Sequence, residues 1–275
     1  MHPVLFEIQG FPIRSYGLAL TLAFAVGIAV AYVRAGRSGI DRERILDVCI
    51  VILVSSLVGS RLLYAATHPD EFRAPHGSWT MLFDPFRSEP VAQGIVGMSM
   101  TGGVVLATVC ALLFMRLRGL PLLGTADLLA PSVPLGEGIT RLGCFLNGCC
   151  HGTPCAWPWC VQFPAGSEAS LRFGEASVHA TQLYTSVLSF ALAVALLAFA
   201  RRRPRPGAVF FAFLTGIGAE RVLVDLLRAY DPGDVLAHPF GVQLSVHSAI
   251  AMGLLLAGLI GLAVVARAPR AAVSR

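Results

Sequence analysis

The sequence predicts an all-α integral membrane protein with seven transmembrane helices, and three observations carry that prediction. Several apolar runs exceed the roughly 18 residues that mark a spanning helix. Only 13% of the 275 residues are charged and 55% are hydrophobic, for a mean hydropathy of +0.70, whereas soluble domains run nearer a quarter charged. All 21 basic residues are arginines, most of them in short loops beside the apolar runs. There they set orientation in the bilayer, so the net charge of +5 is not a nucleic-acid signal. No internal repeat of the kind that marks many transporters is visible. The chain reads as one polytopic membrane domain over 1–275.

The elements follow in order. Residues 1–16 are a polar-aromatic lead containing Arg14 and Tyr16. They lack a basic segment followed by an apolar stretch, so no cleavable signal peptide is expected and the first span directs insertion. Spans are expected at 17–33, 45–66, 96–115, 121–146, 179–200, 207–229 and 241–266. The fourth is less apolar and is interrupted by Pro131 and Pro134. Long polar loops cover 68–95 and 148–178. Arg34, Arg37, Arg42, Arg44, Arg116, Arg118, the run Arg201–Arg205 and the tail arginines fall on one side; Arg14, Arg73, Arg87 and Arg172 fall on the other. The positive-inside rule then places the amino terminus outside and the carboxyl terminus in the cytoplasm. Loop 148–178 becomes a small extracytoplasmic head.

Charged residues inside spans are costly and usually mark a site. Arg61, Arg141, Arg221 and Arg228 lie in or at the outer ends of spans two, four and six. Guanidinium groups hold phosphate through bidentate hydrogen bonds, so this convergence suggests an anion pocket. Helix pairing of Arg141 with Glu137, or of Arg221 with Asp225, is the competing explanation for these residues.

The stretch from Thr140 to Gly152 holds Arg141, Cys144, Asn147, Cys149, Cys150 and His151. In an oxidising setting one or two disulfides are expected among Cys149, Cys150, Cys155 and Cys160, with the connectivity unreadable. Cys149 or Cys150 with His151, Cys155 and Cys160 fits no common zinc pattern. No metal and no cofactor are expected.

A series of motifs in this order resembles the prolipoprotein diacylglyceryl transferase family. They begin with the lead ending in Tyr16-Gly17 and with Gly59-Ser60-Arg61. Thr101-Gly102-Gly103 stands where the family usually has His-Gly-Gly. Arg141-Leu142-Gly143-Cys144-Phe145-Leu146-Asn147-Gly148 with Gly152 is similar to the family signature. His179-Ala180-Thr181-Gln182-Leu183-Tyr184 and Arg221 through Arg228 follow, with Gln243 and Ser245 at the last span. The resemblance implies a bacterial cytoplasmic (inner) membrane enzyme facing the extracytoplasmic side. It moves a diacylglyceryl group from phosphatidylglycerol to the lipobox cysteine thiol of a prelipoprotein signal peptide, forming a thioether and releasing glycerol-1-phosphate. Its partners are therefore phosphatidylglycerol, prelipoprotein signal peptides and membrane lipid. Carried onto this chain, it implies catalytic roles for Arg141, Arg221, Thr101 and His179. It also implies phosphatidylglycerol contacts from Arg141, Arg221, Arg61, Tyr16, Asn147, Gly152, Gly102 and Gly103. Thr101 replaces a family histidine, Cys144 an asparagine, Cys149 a glutamate and Ile217 a tyrosine. A paralogue that binds phospholipid with altered or no transferase activity is the alternative, ahead of a transporter or receptor.

Overall fold

The computed structural model describes residues 4–8, 11–72, 86–89, 92–95, 98–230, 235–237 and 244–267. The motif residue Gln243, together with Arg73, lies outside them. The helices are α1 (Ser15–Ser38), α2 (Arg42–Thr67), α3 (Met100–Leu117), α4 (Leu122–Leu129), α5 (Ser132–Asn147), α6 (Glu168–Phe173), α7 (Thr181–Arg201), α8 (Ala208–Asp225) and α9 (Val246–Arg267). Three short antiparallel pairs accompany them: β1 (Val4–Ile8) with β2 (Phe11–Arg14), β3 (Phe86–Glu89) with β4 (Ala92–Ile95), and β5 (Val235–Ala237) with β6 (Leu244–Ser245).

Five of these helices, α1, α2, α3, α7 and α9, are long and apolar enough to cross a membrane. They match the first, second, third, fifth and seventh expected spans. The expected fourth span is two helices, because Pro131 and Pro134 stand at a junction where backbone donors are not needed. The expected sixth span stops at Asp225, and its last six residues hold Glu220, Arg221 and Asp225, which lower its apolar character.

The chain divides into two compact units, Ala35–Thr125 and Met1–Arg34 with Ala126–Arg275. In the first, α2 begins at Asp41, whose carboxylate accepts the Glu43 N–H at 3.0 Å. Gly59 and Gly102 meet so closely that a Cβ on either would strike the other's carbonyl oxygen. Small residues at such a crossing let two helix backbones touch.

In the second unit, α1 lies along α5. The sites of Gly27, Gly136 and Gly143 face Ser132, Ala23 and the Tyr16–Ala19 turn. Asp127 accepts the N–H groups of Gly207 and Phe210 at 2.6 and 2.7 Å, satisfying donors at the start of α8. Arg34 donates to the carbonyls of Asp127 and Leu128. Further along, α8 crosses α9 through Gly218 and Gly258, where a Cβ would meet backbone atoms of Ala251 and Phe211 respectively.

Candidate functional site

The site grows from the end of α5. Gly148, at φ 78°, takes the left-handed conformation that stops the helix. The Cys149 N–H then reaches the Cys144 carbonyl at 3.2 Å, and the Gly148 N–H reaches that of Phe145 at 3.2 Å. This is the double hydrogen bond of a Schellman stop, and glycine adopts its φ without a Cβ penalty. Asn147 is the last helical residue. Arg141 sits one and a half turns earlier and donates to Glu137 at 3.1 Å.

The loop after the stop is pinned to the start of α7. Gln182 Nε2 donates to the Cys149 carbonyl at 2.6 Å, and Thr181 Oγ1 donates to that of Cys150 at 2.9 Å. Both side chains are about 1% exposed. Gly152 continues the attachment: its N–H reaches the His179 carbonyl at 2.9 Å. A Cβ there would stand 2.5 Å from the Leu227 carbonyl oxygen and 2.7 Å from His179 Cβ. Glycine is required at 152 for close approach, with no left-handed φ involved.

The end of α8 supplies the second half. Arg221 Nε lies 3.0 Å from Asp225 Oδ1, and its terminal nitrogen donates to the Tyr230 hydroxyl at 3.0 Å. Tyr230 in turn donates to Asp225, and Ser248 Oγ from α9 donates to the other carboxylate oxygen at 3.0 Å. Asp225 is buried and fully engaged, so Arg221 is held in one orientation. Arg228 lies over the Tyr230 ring, 5.6 Å from its centroid, and Tyr230 stacks on His247. Burial is the chief cause that raises the Tyr230 pKa, so its hydroxyl stays protonated as a donor.

These two halves meet around a cavity of about 140 Å³. Arg172, Arg221 and Arg228 line it with His151, His247, Cys150, Tyr230 and Glu168. Three guanidiniums around one small volume, against one carboxylate, make a place for a multiply charged oxyanion. Arg141 stands behind the loop, within electrostatic reach of Cys144 and Cys150. Tyr16, at the start of α1, shares those neighbours.

Of the expected site residues in this unit, Arg221 lines the cavity, whereas Arg141, Asn147, Gly152 and Tyr16 do not. His179 joins the loop through its backbone, but its ring faces Tyr184 and the disulfide and does not line the cavity. Burial lowers its pKa, which favours the neutral ring. The other loop histidine, His151, does line it. Its Nε2 is buried and has no hydrogen-bond partner among the described residues. Thr101, Gly102, Gly103 and Arg61 belong to the other unit. There Thr101 is exposed, the two glycines are buried against α2, and Arg61 lies over the Phe72 ring at 5.3 Å.

Sequence reasoning counted Arg172 only for topology and gave Thr181 and Gln182 no role. The signal for the latter two was available, since a Thr-Gln pair opening an apolar helix is poised to hold a neighbouring backbone. Of the loop cysteines, Cys155 and Cys160 form a disulfide, while Cys149 and Cys150 are free thiols like Cys144. Hydrogen bonds from Cys144 and Cys149, with the positive charges of Arg228 and Arg141, hold the Cys150 thiol far below the usual thiol range.

The family model for prolipoprotein diacylglyceryl transferase matches residues 3–264. Three relatives carry the name phosphatidylglycerol–prolipoprotein diacylglyceryl transferase. The one from Geobacter sulfurreducens is 31% identical over 94% of this chain and 95% of its own length. That from Vibrio vulnificus is 32% identical over 83% and 79%, and that from Clostridium tetani 29% over 86% and 88%. The chain belongs to the prolipoprotein diacylglyceryl transferase family.

Proposed function

Taking that membership as the premise, we propose that this chain transfers a diacylglyceryl group from phosphatidylglycerol to the lipobox cysteine thiol of prelipoproteins. The observation that carries the reading is the arginine cavity. Arg221 and Arg228, with Arg172 beside them, receive the phosphoglycerol headgroup. The lipobox sulfur attacks the glyceryl carbon attached to the phosphate oxygen. A carbon–sulfur bond forms as the carbon–oxygen bond breaks, and glycerol-1-phosphate leaves with the bonding electron pair. Charge develops on the departing phosphate, where fixed guanidiniums stabilise it more than they stabilise the starting diester. Arg221 is suited to this because Asp225 and Tyr230 already hold it, so little reorganisation accompanies the reaction.

The thiol proton needs an acceptor. His151 lines the cavity and its buried Nε2 has no hydrogen-bond partner among the described residues, so it is the better placed of the two loop histidines; His179 positions the loop through its backbone. Arg141 and Tyr16 act on Cys150 electrostatically, and the Asn147 side chain bonds to Cys149. Arg61 keeps its sequence-based assignment as a separate proposal; Thr101, exposed on α3, is given no part in the step, and Gly102 and Gly103 support the α2 crossing.

In this reading α4–α5 and α8 complete seven spans. Helix α8 is 18 residues long, or about 27 Å at the α-helical rise, close to the hydrocarbon thickness of about 30 Å. The arginine distribution supports an outside amino terminus, a cytoplasmic carboxyl terminus and a site facing out from the bacterial cytoplasmic membrane. The test is complementation of cells depleted of their own transferase. Rescue is expected. A stably inserted chain that fails to rescue would overturn the activity on ordinary prelipoproteins and favour a lipid-binding paralogue.

A further inference from the structure

Where α5 runs into its loop, three free thiols converge. The Sγ atoms of Cys144, Cys149 and Cys150 all lie within 4.8 Å of one another. Three devices of the backbone bring this about. The Gly148 stop folds the chain back, so that the Cys149 thiol reaches the Cys144 carbonyl at 3.7 Å. Cys150 has φ 62°, and Arg203 is the only other described non-glycine residue with a positive φ. Neighbouring side chains ordinarily point apart; this left-handed turn sets the Cys150 thiol beside that of Cys149. Such a φ is unfavourable for a residue with a Cβ. The hydrogen bonds from Gln182 and Thr181 to the carbonyls on either side hold it in place.

The spacing suits one metal ion. Thiolate sulfurs bind zinc at about 2.3 Å, which puts two sulfurs on one tetrahedral ion about 3.8 Å apart. A trio within 4.8 Å closes to that distance by small side-chain rotations. Charge suits it also: three thiolates on a dication leave one net negative charge, and Arg141 and Arg228 both act on Cys150. Access is open, because Cys149 and Cys150 are partly exposed while Cys144 is buried.

We propose that Cys144, Cys149 and Cys150 form a three-thiolate site for one thiophilic d10 cation of the zinc class, with its fourth position open. Soft thiolate sets select such ions. Each thiol that binds gives up its proton to solvent, with no change of oxidation state. The ligand set differs from the one considered from spacing alone, since Cys155 and Cys160 pair with each other and His151 Nδ1 is engaged with the Gly152 carbonyl at 3.1 Å. The proposal stands independently of the transferase reading.

The test is titration of the full chain, purified in detergent under nitrogen, with Cd²⁺ as the probe. Sulfur-to-metal charge-transfer absorption and bound metal per chain are the readouts. One Cd²⁺ per chain is expected, displaced by Zn²⁺. Cys150→Ser and Cys144→Ser should weaken binding at least about 100-fold, and Cys110→Ser should leave it unchanged. Because Cys144→Ser alters a buried position, alkylation mapping of the unaltered chain provides a second readout: Zn²⁺ should protect Cys149 and Cys150. Absence of the absorption band, a band that survives both serine variants, unprotected cysteines, or a second disulfide among the three would each overturn the site.

Discussion

Two arginines that the sequence presents alike are held differently. Arg141 on α5 and Arg221 on α8 each have a carboxylate four residues away. Around Arg221 the carboxylate is 3% exposed and also binds Tyr230 and Ser248. Around Arg141 the carboxylate is 26% exposed and the pair is a single contact at 3.1 Å. One arginine is fixed by a buried polar network; the other, itself only 11% exposed, is tethered to a single carboxylate. Spacing in a helix finds a pair but does not tell which kind it is. That depends on what the following loop and the next helix bring to the carboxylate.

The sharpest way to break the comparison is to remove each arginine. Arg221→Ala should lower transfer by at least about 10²-fold, the loss typical of one preorganised donor at a developing oxyanion. It should also cost about 3–5 kcal/mol of stability, because Asp225 is left as a buried charge without its cation. Arg141→Ala should lose activity comparably but cost less stability than Arg221→Ala, because the Glu137 carboxylate it leaves behind is 26% exposed and can hydrate. Thermal unfolding in detergent beside a transfer assay separates the two. Equal stability losses would erase the distinction between a fixed and a tethered arginine.

Between them lies the loop. Gly152→Ala should cost about 1–3 kcal/mol by forcing backbone shifts against Leu227 and His179, and transfer should fall with it. Gln182→Leu should cost about 1–3 kcal/mol by leaving the partly buried Cys149 carbonyl without its donor. Faster proteolysis within 148–178 would report the loosened loop. Thr101→Ala, at an exposed position, should stay within about 0.5 kcal/mol and leave transfer unchanged. A large loss there would show that the threonine has taken over the chemistry of the histidine it replaces.

Much of the helical plan was legible because long apolar runs have few other solutions in a membrane. The motif series likewise pointed to Arg141, Arg221, Asn147 and Gly152. What was not legible depends on three-dimensional closure. The prolines at 131 and 134 read as interruptions of one span, but whether they kink a helix or separate two depends on the packing around them. Arg172 looked like a loop charge because its partners, Tyr230 and the cavity, are far along the chain. The thiol cluster was hidden since adjacent cysteines rarely point together, and nothing local announces a left-handed Cys150.

The most direct test of the central claim is transfer by the purified chain. Phosphatidylglycerol labelled in its diacylglyceryl group would be supplied with a lipobox peptide, and the peptide examined by mass. The account predicts a diacylglyceryl thioether on the lipobox cysteine, release of glycerol-1-phosphate, and loss of both products in Arg221→Ala. Folded protein that binds phosphatidylglycerol yet leaves the peptide unmodified would contradict it.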